Sequence, residues 1–393
     1  MRKGTIEYRR ASIGMLLVGL AIFSSLYATQ ALLPTLTREM GIDPSTAALT
    51  VSAATGALAV CVVPASILSE KFGRGRVLVI SALAATALGL TLSLAQSIEQ
   101  LVVLRSLQGA LLAGTPAVAM AWLSEELDER DLAGAMGLYI AGTSVGGLTG
   151  RLIPAFMLEV TGWRWALATS AAVSLALAVA TAILLPEQRN FRPKASIRPG
   201  AEVRAVTGHL RNPRLVGLVA TAFIAMGVFV SMYNFFGFRA INDFGLAPSL
   251  AGLTYVMYLS GTWSSARAGS FVSRFGRGRV VLAAAVLMLT GALIGSSGNL
   301  IVTLVGLLLF TASFFALHST ASGWVGLIAE KDRAEASSLY VFCYYMGSSL
   351  LGAATGQAFE ALPWAGFVAV LAAMLGALIA IAVALAVAEK RSE

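Results

Sequence analysis

Four ionisable side chains stand inside long apolar stretches of this sequence, and its chemistry has to be sought around them. Arg105 opens Arg105-Ser106-Leu107-Gln108-Gly109, which puts the guanidinium and the Gln108 amide on one helix face at i, i+3. Arg151 closes a glycine-rich stretch that holds Gly137, then Gly142, Gly146, Gly147 and Gly150. Arg267 shares a face with Ser260 and Trp263, and His318 lies near Ser319, Thr320 and Ser322. An arginine in an apolar span costs at least about 2.5–3.5 kcal/mol, so each is a functional group by default. For Arg105 the competing reading is snorkelling to the membrane edge. His318 carries an imidazole, whose ordinary titration range lies near neutral pH. It is the candidate for a proton-carrying group within a span, and a hydrogen-bonded core histidine is the other reading. Tyr27, Gln30, Tyr233, Asn234, Tyr255 and Tyr258 complete the candidate cavity residues. An interfacial aromatic belt accounts equally for Tyr27 and Tyr233. All 20 carboxylates fall in loops, termini or the last turn of a span, with Glu159 the marginal case. Three arginines and no acid make an electropositive interior, which disfavours organic cations and favours neutral, zwitterionic or anionic substrates.

Composition dictates the elements that position these groups. Only 12% of the 393 residues are charged and 57% are hydrophobic, where a soluble chain carries about 25% charge. Twelve apolar runs are each long enough to span a bilayer: 11–33, 47–69, 77–95, 100–124, 133–158, 163–185, 214–238, 249–272, 280–298, 300–329, 336–359 and 364–388. The fold class is therefore an all-α, polytopic membrane protein. Pro186 to Pro213 is the one long interruption, a cytoplasmic linker between an N-terminal half, 1–185, and a C-terminal half, 214–393. A short surface helix over 201–210 and a solvated segment are both open there. Of the 28 Lys and Arg, 22 fall in the termini and in alternate loops. Three, Arg38, Arg164 and Arg239, are assigned to the opposite loops. That bias places both termini in the cytoplasm, and the net charge of +8 is no nucleic-acid signature. Cys61 and Cys343 lie in apolar runs and imply neither a disulfide nor a thiolate metal site. The basic start (Arg2, Lys3, Arg9, Arg10) precedes a run too long for a signal peptide, so the first helix is expected to be retained.

The chain writes one loop twice. Glu70-Lys71-Phe72-Gly73-Arg74-Gly75-Arg76-Val77 returns as Ser273-Arg274-Phe275-Gly276-Arg277-Gly278-Arg279-Val280, 203 positions later. Leu138-Tyr139 with Trp163 matches Leu339-Tyr340 with Trp364 at an offset of 201. A near-constant offset over half the chain means a duplicated block of helices, with Gly73 and Gly276 supplying the turns. The acidic stretches 125–131 and 330–335 are placed to pair with these basic loops, or are solvated charge runs.

Two six-helix halves with this loop duplicated resemble the major facilitator superfamily over the whole chain. The family pattern is Gly-x-x-x-Asp-Arg-x-Gly-Arg-Arg. The first copy has Ser66, Glu70 and Lys71 in place of its Gly, Asp and Arg, and the second keeps Gly269, Arg274, Gly276 and Arg277 with Ser273 at the acid. The resemblance implies two pseudo-symmetric six-helix bundles and a secondary transporter working by alternating access. It also implies a gate in which Glu70 sits against the start of the eleventh run, Glu335–Ser338, supported by Gly73, Arg74, Gly276 and Arg277. The plainer reading is that Glu70 neutralises Lys71 and Arg74. The Arg-x-x-Gln-Gly stretch resembles that of proton-coupled members, which implies that Arg105, together with His318, serves proton coupling. The Gly142, Gly146, Gly150 stripe resembles the antiporters' glycine-rich helix, although Val145 precedes the Gly pair and the usual Gly-Pro is missing. Gly147-Leu-Thr-Gly-Arg151 resembles the arabinose-efflux-permease-like branch. The expectation is proton-coupled efflux of a small organic molecule from a monomer in the cell membrane. The proton gradient would supply the energy, with no cofactor and no partners beyond substrate and membrane lipids. Organic-anion or sugar uptake without proton coupling is the alternative, and a lipid-handling protein or membrane enzyme a remote one. An enzyme would need an acid-base pair, and His209 and His318 are the only histidines. No Gly-x-x-x-x-Gly-Lys loop points to nucleotide hydrolysis.

Overall fold

The computed structural model describes residues 1–191, 208–329, 331 and 333–391. All regular structure among them is helical, and each of the twelve apolar runs falls on helix. The elements are α1 (Ile6–Tyr27), a 3-10 turn at Gln30–Leu32, α2 (Leu33–Met40), α3 (Pro44–Phe72), α4 (Arg74–Leu92), α5 (Ile98–Leu112), α6 (Pro116–Glu126), α7 (Glu129–Met157) and α8 (Trp163–Leu184). After these come α9 (Pro213–Asn242), α10 (Pro248–Leu253), a 3-10 turn at Thr254–Met257, α11 (Tyr258–Phe275), α12 (Arg277–Ile294), α13 (Leu300–Ile328), α14 (Arg333–Ala361) and α15 (Trp364–Lys390). Among the described residues nine helices are long and apolar enough to cross a membrane. The fourth run is broken between α5 and α6 at Ala113–Thr115, just before Pro116, and the eighth is divided between α10, a 3-10 turn and α11. The eleventh, α14, carries Ser337, Ser338, Ser348, Ser349, Thr355 and Gln357 along its length.

Local chemistry sets the boundaries. Thr5 accepts a hydrogen bond from Tyr8 N–H to start α1, and Ser97 accepts from Gln100 N–H to start α5. Asn212 caps α9 ahead of Pro213, and Asn299 caps α13. Each supplies an acceptor for a backbone donor that has no partner in the first turn. Gly73 and Gly276 separate α3 from α4 and α11 from α12 at φ +100° and +83°. Side chains seldom adopt that backbone, so the duplicated loop needs glycine there. Arg239, read from the sequence as a loop residue, lies instead in the last turn of α9.

The chain forms two compact units: Met1–Ile42, Leu49–Ile197 and Leu246–Leu253 in the first, and Asp43–Ala48, Arg198–Gly245 and Thr254–Glu393 in the second. In the first unit α1 packs on α7 and α8, and α4 on α8. The α1/α7 seam is built by glycine. A methyl group on Gly142, Gly146 or Gly150 would run into the carbonyl oxygens of Leu16, Leu20 and Ser24, spaced one helical turn apart on α1. In the second unit α9 packs on α14 and α15, and α12 on α13 and α15. There a methyl on Gly347 would meet Phe223 O. Of the surface helix considered over 201–210, residues 201–207 lie outside the described residues.

Candidate functional site

The structure turns Arg105 inward, so it does not snorkel. Its side chain is fully buried. Nε donates to Thr50 O at 2.8 Å on α3, Nη1 to Ser25 O at 2.9 Å on α1 and to Gln108 Oε1, and Nη2 to Leu26 O. Gln108 in turn donates from Nε2 to Ala85 O on α4 at 3.1 Å. One guanidinium and one amide thus tie four helices, and these acceptors are all neutral. The space left beside Gln108 is about 10 Å³, at the lower limit for a single water.

A second guanidinium lies beyond the glycine seam. Arg151 donates from Nε to Gln30 Oε1 at 2.7 Å and from Nη1 to Gly147 O, and its Cζ lies 3.9 Å from the centre of the Tyr27 ring. Tyr27, Gln30 and Arg151, singled out on separate stretches of sequence, therefore form one buried cluster. Tyr27 and Tyr233 are both buried, which removes the aromatic-belt reading for each.

Aromatic rings fill the second unit. Tyr233 stacks on Tyr255 at 5.4 Å between ring centres, lies 5.0 Å from Tyr258, and shares a 2.6 Å hydrogen bond with Thr311. Phe229 continues the cluster to Phe310 and Phe314. His318 lies parallel to Phe314 and 4.5 Å from Tyr344, with Nδ1 3.0 Å from the Tyr340 hydroxyl. Asn234 is buried beside Tyr233. Arg267 is not part of this cluster: it is exposed, with its guanidinium over the Trp263 ring. Tyr340 could have been found in the sequence, because it already marks the internal repeat; Thr311 carried no such signal.

The duplicated loops hold charges locally. Arg74 pairs with Glu125 and, at 3.8 Å, with Glu70, so the acidic stretch that begins in the last turn of α6 meets the first basic loop. Gly75 N–H donates to Gln188 Oε1 at 2.8 Å at the start of α4. At the start of α12 Arg277 and Gly278 N–H donate to the Glu389 carboxylate. The same helix start thus receives an amide in one half and a carboxylate in the other. In the stretch 330–335, Glu330 and Asp332 lie outside the described residues. A cavity of about 480 Å³ opens beside the second loop, lined by Gly276, Arg279, Leu282, Val383 and Lys390 among others; of the expected site residues only Gly276 reaches it.

Two carboxylates at the opposite helix ends hold donors from distant sequence. Glu159 accepts from Ser249 N–H at 3.0 Å and Glu360 from Ser45 N–H at 2.7 Å. Backbone and side-chain hydrogen bonds from Ser249 hold the Glu159 carboxyl below its ordinary range. Asp43 is likewise held below its ordinary range by the Ser45 hydroxyl and by Thr46 N–H and hydroxyl.

A helical fold in two units, with charged loops at helix ends and polar groups buried within long apolar helices, is that of a multi-pass membrane protein. Residues 15–267 match the model of the Major Facilitator Superfamily. The chain is 37% identical over 376 residues to the inner membrane transport protein YnfM of Escherichia coli (strain K12), covering 95% of this chain and 90% of that one. It is 35% identical over 376 residues to the MFS-type transporter YybF of Bacillus subtilis (strain 168), covering 95% and 93%. The solved nucleoside transporter NupG has the same fold, with a TM-score of 0.74 at 15% identity over 95% of this chain and 98% of that one. The chain belongs to the major facilitator superfamily.

Proposed function

We propose that this transporter exports a small neutral, zwitterionic or anionic organic molecule in exchange for protons. It works by alternating access in the cell's inner membrane, with both termini cytoplasmic. The observation that carries the reading is the buried Arg105–Gln108 pair, in a stretch that resembles the Arg-x-x-Gln-Gly of proton-coupled members. A permanent positive charge held by neutral acceptors keeps the surrounding potential positive, which disfavours organic cations. The α1/α7 glycine seam supports the antiporter reading, because it resembles the glycine-rich helix of that group. His318 offers a titratable nitrogen among aromatic rings, and Tyr233, Tyr255 and Tyr258 offer stacking faces for a planar substrate. Glu70, held by Arg74 in the first loop, is the proposed gate carboxylate. The name of YnfM supports placement in the inner membrane. A second reading, uptake of organic anions without proton coupling, draws on the same positive interior.

The test is transport in proteoliposomes under an imposed pH gradient, with panels of neutral, zwitterionic and anionic solutes. Accumulation driven by an acidic lumen and abolished by a protonophore is expected. Flux indifferent to the gradient would leave the facilitator reading in its place. Arg105→Gln, Arg151→Gln, Arg267→Gln and His318→Gln, measured between about pH 5.5 and 8.5, separate the coupling groups. At least one is expected to change the pH profile at normal expression.

A further inference from the structure

A second duplication lies at the other ends of the helices. Pro44-Ser45 recurs as Pro248-Ser249, 204 positions later, and Glu159 recurs as Glu360, 201 positions later. The structure joins these elements crosswise. Ser249 N–H, in the first turn of α10, donates to Glu159 just past the end of α7. Ser45 N–H, in the first turn of α3, donates to Glu360 in the last turn of α14. Proline at the first helical position has no N–H, so the serine amide is the first free donor that either helix presents. Backbones approach closely at both places: a methyl on Gly252 would overlap Ala155, and one on Gly356 would overlap Ser45. Donor and acceptor come from opposite sequence halves, 90 and 315 positions apart. The compact units divide accordingly, with Leu246–Leu253 in the first and Asp43–Ala48 in the second.

We infer that Glu159 and Glu360 are paired latches, each fastening a helix tip of one sequence half to a helix end of the other. By the order of crossings all four partners lie on the membrane face away from the N-terminus, so an opening toward that face must release both. The chemistry suits a reversible catch. A carboxylate is the strongest acceptor a side chain offers to a helix start. Both carboxylates are exposed, so water replaces the amide when the tips part. The latches are unequal. Asp43 braces the Ser45 turn through Ser45 Oγ, Thr46 N–H and Thr46 Oγ1, whereas the counterpart of Asp43 is Ala247. This inference is independent of substrate and of coupling ion.

The test uses the full-length protein with Cys61→Ser and Cys343→Ser, in nanodiscs. Spin-label pairs on Thr161→Cys with Leu246→Cys, and on Glu39→Cys with Leu362→Cys, report the two junctions. Glu159→Ala and Glu360→Ala should each add a population at longer distance, the double variant more than either. Glu159→Gln, which keeps an acceptor oxygen, should show a smaller change than Glu159→Ala. Hydrogen exchange of the peptides over 43–48 and 246–253 should quicken by about two- to fivefold in the matching variant, and this readout serves singly if the double variant fails to fold. Unchanged distances in the double variant, or unchanged exchange at both peptides, would overturn the inference.

Discussion

At the end of α4, Arg164 donates to Ser93 O and Ala95 O, and its guanidinium lies 4.3 Å over Trp163. At the equivalent end of α12, Arg239 donates to Gly295 O and Ser297 O and lies 4.8 Å over Trp364. The acceptors correspond at an offset of 202 and the tryptophans at 201, so duplication kept the socket. The donor did not stay in place. In the first half it follows the tryptophan, and in the second it arrives from the end of α9, 125 residues before Trp364. Carbonyls at a helix C-terminus need donors, and any guanidinium that can reach them serves. An arginine that breaks the repeat is therefore no sure sign of a substrate contact. Arg105 makes the point in the interior, where it donates to three backbone carbonyls and one side-chain amide oxygen. The two units solve the problem of a polar interior differently: the first cages guanidinium groups in backbone oxygen, and the second packs tyrosine, phenylalanine and histidine rings against one another.

That contrast breaks most severely at the glycine seam. Gly142→Ala and Gly146→Ala place a methyl against a carbonyl oxygen of α1. The cost should reach or exceed the about 1–3 kcal/mol typical of overpacking, because the obstacle is backbone. Gly347→Ala should cost a similar amount against Phe223 O in the other unit. Gly137→Ala meets nothing within 4 Å and should be neutral or stabilising by up to about 1 kcal/mol. Thermal unfolding of the four purified variants checks this. Equal midpoints for Gly137→Ala and Gly146→Ala would mean that the seam is not what joins α1 to α7.

Arg105→Lys comes next. Lysine keeps the charge, but its ammonium cannot reproduce a planar fork reaching α1, α3 and Gln108 together. Losing even one bond to a charged donor costs about 1.5–3 kcal/mol, so a marked drop in unfolding midpoint is expected. Arg267→Lys, at an exposed side chain over Trp263, should change it little. Equal effects would show that burial in a carbonyl cage is not what distinguishes Arg105.

Much of this architecture was legible in the sequence, because apolar length and an exact repeat of glycine and arginine are local properties. Gly73 and Gly276 could be assigned to turns from the loop text alone, and the Gly142, Gly146, Gly150 stripe to close packing from its spacing. The partners were not legible. Nothing near Arg105 in sequence announces Ser25 O or Thr50 O, since backbone oxygens carry no sequence signature. Arg239 was misplaced because the apolar run was ended at Phe238, just before the charge, while the helix continues to Asn242. The Pro-Ser and Glu duplications were present in the text, but each pair is too short to stand out until the structure crosses them.

The smallest expected effect tests the exchanged donor itself. Arg239 is buried to 6% exposure, ion-paired with Asp243 at 3.7 Å and set over Trp364. Arg239→Gln removes two bonds from a charged donor, leaves the carbonyls of Gly295 and Ser297 with only the Trp364 Nε1 and Thr303 Oγ1 donors, and should cost about 1–3 kcal/mol. Arg164 is exposed, so water can take over the carbonyls of Ser93 and Ala95, and Arg164→Gln should cost less than about 1 kcal/mol. The double variant should lie near the sum, because the two sockets share no residue. Raising salt should narrow the difference between wild type and Arg164→Gln while leaving that for Arg239→Gln nearly unchanged, since a buried charge is screened far less. A larger loss at Arg164 than at Arg239 would show that depth does not rank these two sockets, and the comparison between the halves would then have to rest on the tryptophans that both keep.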